Sequence, residues 1–205
     1  MLKIATKTTL PTAYGHFTLM SFDGFEDGLE HLALIYGDVT GKKDVLARIH
    51  SECLTGEVFG SRRCDCQPQL QDAMQAMAAN GSGVVLYLRQ EGRGIGLKNK
   101  LRAYELQDKG MDTVEANAAL GFENDLRSFA PAVEMLRVLD VASVKLMTNN
   151  PDKMAALLEA DITVSHVPLL SCVAADNVAY METKADKMGH LIPAEFFANL
   201  KKTRA

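Results

Sequence analysis

Long apolar runs are missing from this chain of 205 residues. None approaches the ~18 residues that a membrane-spanning helix requires. A basic excess is missing too: 22 lysines and arginines face 26 aspartates and glutamates, a formal net charge of −4. General affinity for nucleic acid or for an acidic membrane needs the opposite balance. Aromatic residues, on which unpaired bases would stack, make up only 6%. The opening stretch "MLKIATKTTLPTAYG" lacks the apolar core and small-residue cleavage site of a signal peptide. No repeat, low-complexity tract or linker divides the chain, and 47% hydrophobic content is enough for a core without staples. These absences describe a soluble cytoplasmic protein read as one domain over residues 1–205. Its thiols stay reduced, and any anionic ligand must find its counter-charges locally.

Cysteine is scarce, yet three of the four cysteines fall in "SECLTGEVFGSRRCDCQPQL": Cys53, Cys64 and Cys66. In a reducing compartment such a cluster binds metal or does chemistry, and pairing would leave one thiol over. Thiolates suit zinc, which takes four ligands. Cys172 in "LLSCVAAD" or the nearby His50 could complete a structural site. If neither does, the fourth place is open to water, as in catalytic zinc sites. Three thiolates donate much negative charge, so such a water is less acidic than on three histidines and calls for a nearby base. The spacing alone leaves catalytic zinc, structural zinc and plain buried thiols all open.

The remaining pattern is α/β with α+β character: a β-rich front, then a mixed sheet flanked by helices. "HLALIYGDV" and "DVLARIHSE" read as strands. "QPQLQDAMQAMAAN" reads as a helix with Leu70, Met74 and Met77 on its core stripe and Gly81 beyond its end. "GVVLYL" reads as a buried-type strand, and "SVKLMT" and "ITVSHV" read as strands. "LKNKLRAYELQDKG" and "SFAPAVEMLRVLD" read as helices, and "NPDKMAALLEA" as a helix capped by Asn150 with Pro151 at its first position. "KADKMGHLIPAEFFANLKKTRA" reads as a short helix and a loose tail from about residue 191.

Between "GVVLYL" and the next helix lies "RQEGRGIGLKNK". It is neither a Walker A loop nor a dinucleotide fingerprint, because Leu97 stands where a third glycine would be. Gly92, Gly94 and Gly96 would still let backbone amides approach an anion at a helix start. Arg89, Arg93, Lys98, Lys100 and Arg102 against Glu91 make a local positive field suited to a polyphosphate. "GFENDLRSF" holds Asp125 and Arg127, a possible base and phosphate clamp that would be ordinary surface if taken alone. Lys153, in the first turn after "TNNP", is unfavourable for the helix dipole unless an anion is near. His31, His166 and His190 have no partner legible in sequence and read as structural.

Together "RIHSECLTGEVFGSRRCDCQPQL", "RQEGRGIGLKNKLRAYELQDKGMDTVEAN", "LGFENDLRSF", "LMTNNPDK" and "ETKADKMGH" resemble the GTP cyclohydrolase II family of riboflavin biosynthesis, in order from about Arg48 to His190. The length matches the form without a second enzyme domain. The resemblance implies hydrolysis of GTP to a diaminopyrimidinone ribosylamino phosphate with release of formate and diphosphate. It implies zinc on Cys53, Cys64 and Cys66, magnesium with the GTP phosphates, and a homodimer. Cys172 then becomes an ordinary buried thiol. By position, Asp125 matches the proton acceptor, Arg127 the proposed nucleophile toward the α-phosphate, and Tyr104 a tyrosine near the reacting ring. A guanidinium is essentially always protonated, so a charge clamp at Arg127 explains the same requirement. Arg48, Ile49, His50, Ser51, Glu52, Gln69, Glu91, Gly92, Arg93, Thr113, Thr148 and Lys153 match substrate contacts. Gln67 stands where relatives usually carry glycine, which implies that the turn there needs no positive φ. A related enzyme that keeps the formyl group, or a silent zinc-nucleotide binding protein, would carry much of the same pattern. Formate release separates the first, and turnover the second.

Overall fold

Two long strands begin the fold in the computed structural model, which describes residues 1–171, 176–193 and 195–197. β1 (Lys3–Thr12) and β2 (Gly15–Asp23) form an antiparallel hairpin in which Thr12 pairs with Gly15. The sequence announces a β-rich front without marking these strands. The reason is that β1 is exposed along almost its whole length, so it carries no alternation of apolar and polar positions. β3 (Leu32–Tyr36) and β4 (Val45–Ser51) take up the two runs expected as strands.

The connection from β4 carries α1 (Leu54–Glu57) and α2 (Cys66–Asn80) before β5 (Gly83–Leu88). Gly81 ends α2 in the left-handed conformation at φ 79°. Met74 and Met77 are buried against Phe17, Val85 and Met147, with Leu70 at the edge of the cluster, so the methionine stripe is core. Gln67 lies inside α2 and is not among the residues with positive φ. Its helical backbone explains why glycine is not needed.

A 3-10 turn at Glu91–Gly94 leads into α3 (Gly96–Gln107). α4 (Thr113–Ala119) follows, then α5 (Ala130–Val138), β6 (Ser143–Met147), α6 (Pro151–Leu158), β7 (Thr163–Val167) and α7 (Val178–Lys187). The Asn150 side chain caps α6 by accepting the Asp152 N–H at 2.9 Å. α4 is a helix the hydrophobic pattern did not reveal. Its signal was the capping box in "DTVE", where Asp112 accepts from the Val114 and Glu115 amides and Glu115 reaches back to the Asp112 N–H. α7 starts earlier than expected, at Val178. Cys172 and most of the tail beyond residue 191 lie outside the described residues.

The seven strands form one sheet in the order β1-β2-β3-β5-β4-β6-β7. Pairing is antiparallel from β1 through β5 and parallel among β5, β4, β6 and β7. The main core, centred on Ile49, Leu86, Leu136, Leu146 and Leu157, packs α5 and α6 against the parallel half. The α2 cluster covers the other face. The carboxyl ends of β4, β5 and β6 therefore open side by side between the helices, where ligands bind in parallel α/β sheets.

Candidate active site

A cleft of about 1090 Å³, counting its open mouth, lies at those strand ends. β4 supplies Arg48, His50 and Ser51, followed by Glu52 and Cys53. β5 leads to Gln90, Glu91, Gly92 and Arg93, and β6 leads to Thr148, Asn149 and Asn150. Helices α2, α3, α4, α6 and α7 close the sides with Gln69, Lys100, Tyr104, Thr113, Lys153 and Lys184.

The three clustered cysteines meet on one wall. Their sulfur atoms lie within 4.8 Å of one another, with Cys53 Sγ 3.6 Å from Cys64 Sγ. Tetrahedral zinc with ~2.3 Å bonds spaces its sulfurs ~3.8 Å apart, so Cys53 and Cys64 already stand near coordination spacing, with Cys66 close by. Gly56 makes this possible: a Cβ there would stand 3.0 Å from Cys64 Sγ and 3.2 Å from Cys53 Sγ. His50 does not join the cluster. Its Nε2 is 2.9 Å from Glu57 Oε1, and the same carboxylate accepts the Cys53 N–H and the Tyr87 hydroxyl at 2.7 Å each. Glu57 thus ties β4, β5 and the metal loop together, a role that sequence reasoning missed. Without a metal, the Cys64 and Cys66 thiols donate to Cys53 and hold it low, helped by the Lys100 ammonium. Beside that thiolate Cys64 is pushed up to about 11 and Cys66 well above the ordinary thiol range. One thiolate therefore forms readily and two form reluctantly, so a cation is needed to gather three negative sulfurs.

Two cations in the cleft are buried with no carboxylate in ion-pair range among the described residues. Lys153, 5% exposed, donates to the Ile49 carbonyl at 2.9 Å. Burial first, then Arg48, Arg127 and Lys184, drives its pKa well below the usual lysine range. Arg48, also 5% exposed, donates to the Met147 carbonyl and to Gln69, and its Nε has no partner among the described residues. Uncompensated buried charge is costly, and an anionic ligand would relieve that cost.

Arg127 belongs to the same cleft, whereas Asp125 stands behind it. The carboxylate accepts from Arg127 Nε at 2.9 Å and Nη2 at 2.5 Å, and Arg127 Nη1 reaches Ser51 Oγ at 3.2 Å. Burial alone would raise the Asp125 pKa, but the guanidinium fork outweighs it and holds the carboxyl below its usual value. Ile49 points its side chain into the core and offers only its carbonyl. Both oxygens of Glu91 are engaged by protein donors: Oε2 by the Leu54 N–H, Oε1 by the Gly92 N–H and by Lys100.

The Tyr104 hydroxyl is 3.3 Å from Thr55 Oγ1, beside the thiols, and burial pushes its pKa up, so it stays protonated. The positive field read from the glycine loop is smaller than the sequence implied. Arg89 does not line the cleft and is held by Glu52 at 2.9 Å, and Lys98 and Arg102 are exposed. Only Arg93 and Lys100 turn inward. His190 is not merely structural: it lines the cleft, and burial with nearby Lys184 lowers its pKa to about 3. Lys184 of α7 was legible only as part of a quoted motif. It is buried against Asp65, the residue between Cys64 and Cys66, at 2.5 Å.

The family model described as GTP cyclohydrolase II matches residues 3–168. The chain belongs to the GTP cyclohydrolase II family. It is 52% identical over 197 residues to the GTP cyclohydrolase-2 of Shewanella amazonensis, covering 96% of each chain. Identity to the GTP cyclohydrolase-2 of Neisseria meningitidis is also 52%, over 94% of this chain and 98% of that one. The riboflavin biosynthesis protein RibBA of Bacillus subtilis is 54% identical over 90% of this chain, which spans only 47% of that longer protein. All of the family positions carried over by sequence except Ile49 and Asp125 line the cleft.

Proposed function

We propose that the chain acts as a zinc-dependent GTP cyclohydrolase II, converting GTP to a diaminopyrimidinone ribosylamino phosphate, formate and diphosphate in riboflavin biosynthesis. One observation carries this reading. A pre-gathered three-thiol site and two buried cations without carboxylate partners share a single cleft. The first suits a Lewis acid, and the second suits a polyphosphate.

Zinc held by Cys53, Cys64 and Cys66 would supply Lewis acidity and activate water for attack at C8 of guanine. The chain's own residues do the rest. Arg48 and Lys153 neutralise phosphate oxygens, with magnesium accompanying the nucleotide. Arg127, aimed by Asp125 and Ser51, clamps the α-phosphate. A guanidinium forked onto a carboxylate is a poor nucleophile, which favours the clamp. Asp125 accordingly positions Arg127, and its lowered pKa makes it a weak base until substrate rearranges the pair. Tyr104 keeps its proton and donates a hydrogen bond beside the reacting ring. Water is consumed twice at C8, once to open the ring and once to free formate, and once more at the α-phosphate. The same reading takes the enzyme as a cytoplasmic homodimer. No helix among the described residues is long and apolar enough to cross a membrane.

The test is GTP turnover by the purified protein with formate and diphosphate followed together. Both products should form, disappear on chelation, and return with zinc while magnesium is kept in excess. Diphosphate without formate, or turnover indifferent to chelation, would refute the zinc reading.

A further inference from the structure

Three thiolates around a divalent ion leave one negative charge in excess, which weakens the ion as a Lewis acid. The cleft contains a group placed to offset this. Lys100 Nζ lies 3.1 Å from Cys53 Sγ and 2.7 Å from Glu91 Oε1. Its side chain is only 11% exposed, whereas Lys98 and Arg102 on the same helix face solvent. Lys100, Ala103, Tyr104 and Gln107 form the inward stripe of α3. We propose that Lys100 is the counter-charge of the metal site, its ammonium held by Glu91 so that one N–H points at the Cys53 thiolate.

The surroundings are built for this placement. Glu91 is itself fixed by the Leu54 and Gly92 amides, at 2.7 and 2.8 Å. Leu54 directly follows Cys53, so one carboxylate sets both the cysteine and the ammonium that faces it. Gly92 adopts φ 63°, and a Cβ there would come within 3.1 Å of Lys100 Cβ, so the loop can close over the lysine stem only without a side chain. The effect on sulfur is local. The N–H draws on a sulfur lone pair directly, while the carboxylate lies on the other side of the nitrogen. Outer-shell hydrogen bonds of this kind tune both metal affinity and ligand donation. The hydrogen bond thus moderates the electron donation that makes a three-thiolate site a poor activator of water, and Lys100 acts through Cys53 as a positioning residue.

This inference rests on the zinc reading above, and the experiment separates the two. Wild-type protein and Lys100→Met are compared by chelator competition for zinc and by the spectrum of the cobalt-substituted form. The variant should bind zinc ~10–100-fold more weakly, because the excess negative charge of the filled three-thiolate site then lacks its counter-charge. Its thiolate-to-cobalt charge-transfer band should move to lower energy, because a sulfur without the N–H gives up an electron more easily. Lys100→Arg should recover part of both changes. Affinity and band position equal to wild type in a folded Lys100→Met would overturn the proposal. If that variant does not fold, Lys100→Gln is read by the same two criteria. If the wild type itself shows no thiolate-to-cobalt band, the zinc reading fails along with this one. A normal wild-type band with an unshifted variant rejects Lys100 alone.

Discussion

Gly56→Ala tests whether the thiol cluster is shaped for metal. The added methyl would lie 3.0 Å from Cys64 Sγ, 3.2 Å from Cys53 Sγ and 3.5 Å from Cys66 Cβ. Unstrained contacts of a carbon start at ~3.5 Å, so the two sulfurs must retreat by roughly 0.3–0.5 Å. A metal site tolerates ~0.2 Å. Zinc affinity should therefore fall at least ~10-fold, or ~1.4 kcal/mol. Metal-free stability should respond differently. Gly56 lies in α1 with no positive φ, so alanine gains up to ~1 kcal/mol of helix propensity. Overpacking costs ~1–3 kcal/mol, and free thiols can part to relieve it. The net change without metal should stay within ~2 kcal/mol, the balance of these two effects. Thermal melts of the chelated protein and zinc competition titrations read the two quantities separately. Wild-type zinc affinity in Gly56→Ala would refute the argument. A loss of metal-free stability well beyond the stated range would show that Gly56 serves the fold rather than the metal.

Two further outcomes follow from the charges in the cleft. Lys153→Met removes a buried basic group with no carboxylate in ion-pair range among the described residues. It should weaken GTP binding ~100-fold, about 2.7 kcal/mol, while leaving the ligand-free melting temperature unchanged or higher. A lower melting temperature with normal GTP affinity would assign Lys153 to structure alone. Asp125→Asn should cost much more in kcat than in KM, because Arg127 loses its orientation. An unchanged kcat would remove Asp125 from the mechanism. Because the folded-state pKa of Asp125 is depressed, its stabilising contribution is present above the unfolded value of ~3.9 and is lost as pH falls through the lower folded value. The melting-temperature difference between wild type and Asp125→Asn should therefore close at the acid end of that window. A difference independent of pH would contradict it.

Much of the α/β half was legible because its signals are local. Gly81 after a methionine stripe, Asn150 before Pro151, and apolar runs such as "GVVLYL" each encode their element within a few residues. β1 was not, because an exposed strand has no buried face to pattern its sequence. Cys53, Cys64 and Cys66 announced themselves by residue type and clustering. Asp125 and Arg127, two residues apart, gained meaning only from family resemblance.

By itself the sequence determined the clustering of three thiols, a lysine at a capped helix start, and a net acidic composition on which any polyphosphate site must be local. Tertiary structure decided which charges count. Arg89, Lys98 and Arg102 are exposed, while Lys100 turns to Cys53 and Lys184 arrives from α7 to meet Asp65. The physical reason is that composition records how many charges a segment carries. Their energetics depend on which helix face is buried and what lies within a few ångströms, and for Asp65 and Lys184 that partner is 119 residues away.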